Sequence, residues 1–185
     1  MGRWKPDARG RMLVAAMELF AERGFEQTTA GDIAERAGVT ERTFFRHFTD
    51  KREVLFDGSG TMQTTARDAI LAADASLSPL DAALVGMVAG GGLLEERRAY
   101  AVRRAGVIAA NPALQERELM KLASMVDATA DALRARGVPE PTASLAAHSA
   151  ITVFHVAFAR WISDPETTDF TTAIHTTAAA LRALR

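Results

Sequence analysis

Residues 28–51, reading TTAGDIAERAGVTERTFFRHFTDK, constrain this 185-residue chain more than any other stretch. Two short helical patterns lie there with a tight turn between them. Thr29 fits an N-cap, with Asp32 three residues on as its capping partner. Ile33, Ala34 and Ala37 then form one apolar stripe at helical spacing. Gly38 stops that helix, because a left-handed C-terminal position is cheap only without a Cβ. Val39 is the apolar residue of the turn, and Thr40 can cap the next helix by accepting from an orphan backbone N–H. In that second helix Phe44 and Phe48 lie four apart and face a core. Arg42 and Arg46 fall on the opposite face, flanked by Thr43 and Phe45. A short helix with an apolar back and a basic front, set against another across a glycine turn, has the shape of a helix-turn-helix reader of a DNA major groove. The competing reading is an ordinary pair of core helices with solvated arginines. Lys51 and Arg52 favour the first, since they add cations that reach phosphates. Arg3, Lys5, Arg9 and Arg11 form a second basic cluster that could act as an arm.

Upstream, Leu13, Ala16, Met17 and Phe20 recur at i, i+3, i+4 and i+7. They predict an amphipathic helix that starts near Pro6 and Asp7, ends at Gly24, and has Phe25 folded back on its last turn. The three helices make a unit of about fifty residues, with Leu13, Met17, Phe20, Phe25, Ile33, Ala37, Val39, Phe44 and Phe48 as its core. So small a unit is marginal alone and has to lean on the remainder of the chain. Asp50 is expected to cap a fourth helix, with Val54 and Leu55 packing back. Gly58-Ser59-Gly60 interrupts that pattern, so the helix either breaks there or is pliable. Helical spacing resumes from Met62 to about Asp74, and Ser78-Pro79 opens another helix. Gly90-Gly91-Gly92 is expected to end it as a loop. Further helices are predicted over 93–110, from Pro112 to near Gly137, over 141–163 and over 169–184. No alternating strand pattern occurs, which makes the chain all-α with about nine helices. The expected division is a helix-turn-helix domain over residues 1–50 and a larger helical domain over 51–185.

Composition excludes some functions. Apolar residues make up 48% of the chain and charged residues 24%, with no run of about eighteen apolar residues, so a soluble globular protein is expected. No secretory signal pattern is visible, and a cytoplasmic location follows as the expectation. The absence of cysteine excludes disulfides and thiolate chemistry. The net charge of −1 is not that of a nucleic-acid protein taken whole. Only the local clustering of cations argues for DNA.

Residues 145–162 are apolar around nearly the whole helical circumference, which calls for burial on two sides. One side can be the subunit's interior and the other a partner. The final helix adds a stripe of Phe170, Ile174, Ala178, Leu181 and Leu184. A homodimer through residues 141–184, forming a four-helix bundle, is therefore expected, with a monomer core as the alternative. Candidate ligand-binding residues are Met62, Met87, Tyr100, Met120, Phe154, Phe158 and Trp161. Such residues also build ordinary cores. As a pocket they would suit a mostly apolar effector with a few polar anchors. His148 and His155 stand roughly 10 Å apart along their helix and do not make a metal site by themselves. Neither a metal nor a cofactor is expected.

The LFAERGF segment, the TTAGDIAERAGVTERTFFRHF run and Lys51 resemble the TetR family of transcriptional regulators over roughly residues 8–56. The resemblance implies a homodimer with an N-terminal helix-turn-helix and a larger helical domain. That domain would bind a small effector, which releases a palindromic double-stranded DNA operator. By position the resemblance implies Glu41, Arg42 and Thr43 as base-edge readers, and Thr29, Thr40, Phe45, His47 and Lys51 as phosphate contacts. Family members often carry tyrosine where this chain has Phe45, so a hydroxyl contact is missing. Arg46 points outward by periodicity and ranks below Arg42. Gly58-Ser59-Gly60 departs from the family's continuous fourth helix. No GxSxG, HExxH, Walker or dinucleotide fingerprint suggests an enzyme. The remaining alternatives are a helical protein-interaction module and an effector-independent regulator or activator.

Overall fold

The computed structural model describes residues 7–164, 166–167 and 169–184. Among these residues there are nine α-helices and no strand, which agrees with the all-α expectation. The helices are α1 (Ala8–Arg23), α2 (Ala30–Arg36), α3 (Glu41–His47), α4 (Ser59–Ala72), α5 (Pro79–Glu95), α6 (Arg98–Ala109), α7 (Pro112–Ala135), α8 (Thr142–Ser163) and α9 (Phe170–Ala183). Pro6, Arg3 and Lys5 lie outside the described residues.

Local chemistry sets most boundaries. Asp7 caps α1 by accepting from the Gly10 amide at 2.8 Å. The α1 stripe is broader than the predicted one: Met12, Ala15 and Leu19 are buried along with Ala16, Met17 and Phe20, while Leu13 is only half-buried. Gly38 takes φ +67° and closes α2 as expected.

The fourth helix differs from expectation. Asp50 accepts from the Arg52 and Glu53 amides, but what it opens is a single 3-10 turn over Glu53–Phe56. Gly58 comes next at φ +85°, and α4 starts afresh behind it. The pattern therefore breaks at the glycines.

Gly90-Gly91-Gly92 corrects a second expectation, because α5 runs straight through it to Glu95. The reason is packing. A Cβ on Gly86 would stand 2.6 Å from an Ile70 side-chain carbon and 2.8 Å from the Ala66 carbonyl oxygen, and one on Gly91 would stand 2.8 Å from the Phe170 ring. The missing side chains let α5 lie directly on α4 and α9, and that contact outweighs the roughly 1 kcal/mol that each glycine costs a helix. The break falls later, around Glu96 and Arg97.

The described residues divide into two compact units. One runs through Asp57 and also takes in Arg103–Glu118. The other comprises Gly58–Val102 and Leu119 onward. Packing thus groups residues differently from a cut at 50/51, because Val54, Leu55 and Phe56 are buried within the first unit. In that unit Arg104 donates from Nε to the Leu55 carbonyl and lies 5.0 Å over the Phe56 ring, while Arg117 bonds the Glu53 carboxylate at 2.6 Å. In the second unit α8 is long and apolar enough to cross a membrane by length and composition. Its buried residues, among them Ile151, Val153, Phe154 and Trp161, are part of the core shared with α5 and α9.

Candidate nucleic-acid interface

The interface is assembled from short-range caps. At the start of α2 the Asp32 carboxylate accepts from the Thr29 hydroxyl at 2.6 Å and the Thr29 amide at 2.8 Å, and it pairs with Arg23 at 2.7 Å. In return the Thr29 hydroxyl accepts from the Asp32 amide at 3.1 Å, which completes the expected capping box. These hydrogen bonds, led by that of the Thr29 hydroxyl, lower the Asp32 pKa to about 2. They also engage both donors of Thr29. α3 is capped by the Thr40 hydroxyl, which accepts from the Thr43 amide at 3.2 Å. The Thr40 and Thr43 hydroxyls lie 3.0 Å apart and share one hydrogen, so the other stays free to donate.

α3 is mounted on its phenylalanines. Phe44 is fully buried and Phe48 nearly so, with ring centroids 5.4 Å apart. Glu41, Arg42, Phe45 and Arg46 are exposed, and Thr43 and His47 are half-buried. Arg42 and Arg46 have no hydrogen bond or ion pair among the described residues, which leaves both guanidinium forks open to solvent. Bidentate donors on an exposed helix face are the groups that read guanine edges or clamp phosphates. Seven of the nine expected contact residues thus sit on α3 or at its cap, and Thr29 caps the helix before it.

Lys51 lies beyond α3 and has partners within the chain. Its ammonium donates to the carbonyls of Phe25 at 2.8 Å, Thr28 at 2.9 Å and Glu26 at 3.3 Å, and it stands 4.3 Å over the Phe25 ring. An ammonium has three hydrogens, and here three carbonyls take them. Lys51 ties the loop between α1 and α2. The basic arm is likewise partly committed: Arg9 pairs with Asp57, and Arg11 donates to the Ala37 carbonyl at 3.0 Å. Sequence reading also missed Arg36, which bonds Glu22 through two nitrogens at 2.8 and 2.9 Å and braces α2 on α1. The signal for it is the pair Glu18 and Glu22, spaced i, i+4 on α1.

The candidate effector residues are not brought together. Phe154, Phe158 and Trp161 pack around Phe170, with Trp161 stacked on it at 5.0 Å. Met62 lies against Gly90, Tyr100 is half-buried, and Met120 is 59% exposed. A small cavity of about 10 Å³, roughly one water in size, is lined instead by Gln63, Ala66, Arg67, Met87, Met125, Ala128 and Thr129. Of the expected residues Met87 alone lines it. The buried indole N–H of Trp161 has no acceptor among the described residues.

Residues 12–57 match the profile described as bacterial regulatory proteins, tetR family. The HTH-type transcriptional regulator TcmR of Streptomyces glaucescens is 38% identical over 74 residues, which are 40% of this chain and 33% of that protein. The HTH-type transcriptional repressor KstR2 of Mycobacterium tuberculosis is 43% identical over 47 residues, 25% of this chain and 24% of that protein. The chain thus spans a third or less of the length of these curated relatives. Among solved structures, the fatty acid degradation regulator FadR from Bacillus halodurans superposes with a TM-score of 0.66 at 17% identity, covering 98% of this chain and 97% of that one. The SmeT–triclosan complex gives 0.61 at 22%, covering 94% and 90%. Thermus thermophilus FadR with lauroyl-CoA gives 0.56 at 21%, covering 96% and 95%. At these identities the likeness shows the fold.

Proposed function

We propose, from the match of residues 12–57 to the tetR family of bacterial regulatory proteins, that the chain is a cytoplasmic, homodimeric repressor of that family that leaves a palindromic operator when a small effector binds. The observation that carries this reading is the exposed face of α3, where Arg42 and Arg46 stand unpaired beside Glu41 on a helix locked from behind by Phe44. Thr40, Thr43 and His47 supply the flanking polar groups. Two such helices in a twofold dimer have to enter successive major grooves about 34–36 Å apart, so the half-sites should repeat at one helical turn. Selection of bound sequences from a random DNA pool tests this. A palindrome with that spacing is the expected result, and an unenriched pool would refute it.

Support for the homodimer comes from the outer faces of α8 and α9. Leu145 is 64% exposed and Val156 46%, accompanied on α8 by Thr152 and Ala159 and on α9 by Ala179, Ala180 and Ala183. Neither helix carries Asp or Glu, and the arginines Arg160 and Arg182 lie in their last turns, so most of this face can meet a second copy through uncharged side chains. The effector is proposed to be largely apolar with a few polar anchors. Met87 and Met125 at the cavity support that composition, as do the triclosan and lauroyl-CoA carried by SmeT and the Thermus FadR. An effector acts only through unequal affinity for the DNA-bound and free states. Displacement of labelled operator by candidate compounds, read by fluorescence anisotropy, tests that step.

A further inference from the structure

We propose that Phe45 reads the 5-methyl group of a thymine in the operator, an assignment that rests on the DNA-binding reading above. Among the described residues Phe45 is the only exposed Phe, Tyr or Trp ring, at 51%, and it sits in the middle of the charged face of α3. Taking Phe44 as zero, Glu41 falls at about 60° around the helix, Phe45 at about 100°, Arg42 at about 160° and Arg46 at about 200°. Phe45 therefore occupies the arc between Glu41 and Arg42. Its ring meets that of Phe44 edge to face, with centroids 5.4 Å apart and planes at 87°. Phe44 is itself fully buried, so the exposed ring is held from beneath by a fixed partner.

The chemistry narrows what such a ring can contact. A phenyl group neither donates nor accepts a hydrogen bond, so a phosphate laid against it would lose water and gain nothing in return. Of the features that base pairs display in the major groove, nearly all are donors or acceptors, and the C5-methyl of thymine is the one bulky apolar group. Covering that methyl with a ring already exposed to water removes apolar surface from both partners. Phe45 is thus a specificity-determining residue, and the operator should carry thymine at a fixed position beside the bases facing Arg42. A ring packed on deoxyribose instead would be indifferent to the methyl, which separates the two arrangements.

The test uses the full-length dimer and the operator obtained by selection. Each thymine of one half-site is replaced in turn by deoxyuridine, which deletes the methyl and leaves every hydrogen-bonding group in place. One or two positions should weaken binding by about fourfold each, the worth of one buried methyl group. In Phe45→Ala the same replacements should have no effect, while Phe45→Tyr, which keeps the ring, should keep the sensitivity. Because Phe45 is exposed, matching melting curves verify that the variants fold. Full indifference of the wild type to deoxyuridine, or a sensitivity that persists in Phe45→Ala, would overturn the assignment while leaving DNA binding intact. A chain that enriches no sequence at all overturns both.

Discussion

The Asp32 carboxylate accepts two hydrogen bonds from Thr29 and pairs with Arg23, and all three contacts favour its ionised form. Its pKa falls to about 2 in the folded chain, against an ordinary value near 4. The folded value is the lower one, so its stabilising effect is complete above about pH 4 and is lost as the pH falls toward 2. Urea midpoints of wild type and Asp32→Ala should differ at pH 7 and converge in that window. At the face of α3, Arg42→Ala should weaken operator binding about tenfold or more and random-DNA binding much less, measured by gel-shift titration on both. Equal losses would remove its base-reading role. Arg46→Ala and Lys51→Met separate two kinds of cation. The first should lower the slope of log affinity against log salt by about one. The second should leave that slope unchanged and lower the melting temperature, because Lys51 is bound to the loop carbonyls. Thr29, Asp32, Gly38 and Phe44 were legible in the sequence because their partners lie within a turn of helix. The partners of Lys51 lie 23 to 26 residues away, beyond any local pattern.

Helices whose ends were set by caps were legible to within a residue or two, as at Ser78 before α5 and Asp169 before α9. The glycine triplet was not, because helix propensity is local and the close approach of α5 to α4 and α9 is tertiary. That difference is measurable. Gly92 faces open space, so Gly92→Ala should stabilise the chain by roughly 0.5–1 kcal/mol through propensity and a restricted unfolded state. Gly86→Ala and Gly91→Ala drive a methyl into Ile70 and Phe170 respectively, and should destabilise by about 1–3 kcal/mol despite the same propensity gain. Chemical denaturation of the three variants checks the signs. If all three stabilise, the close approach of α5 to its neighbours is wrong.

At the scale of the molecule, the all-α class and an N-terminal helix-turn-helix were readable from periodicity and caps, whereas the lining of the cavity was not. Methionine and aromatic side chains look alike to a sequence reader whether they fill a core or border a space, and Phe170 turned three of the expected pocket residues into a ring cluster. For the assembly, Val156→Asp would place a carboxylate on each copy at a face that carries no acidic residue. Sedimentation equilibrium should then show monomers where the wild type is dimeric, with unchanged helical content. The first unit carries one more consequence. Its 3-10 turn is held by Arg104 and Arg117, which lie 49 and 64 residues beyond their partners Leu55 and Glu53. Cutting after Asp57 would strip both arginines away, so the helix-turn-helix cannot be transplanted as a cassette. Exchange of regulatory specificity between relatives, in the laboratory or through recombination, has to carry the Arg103–Glu118 segment with it or rebuild that support from the new host.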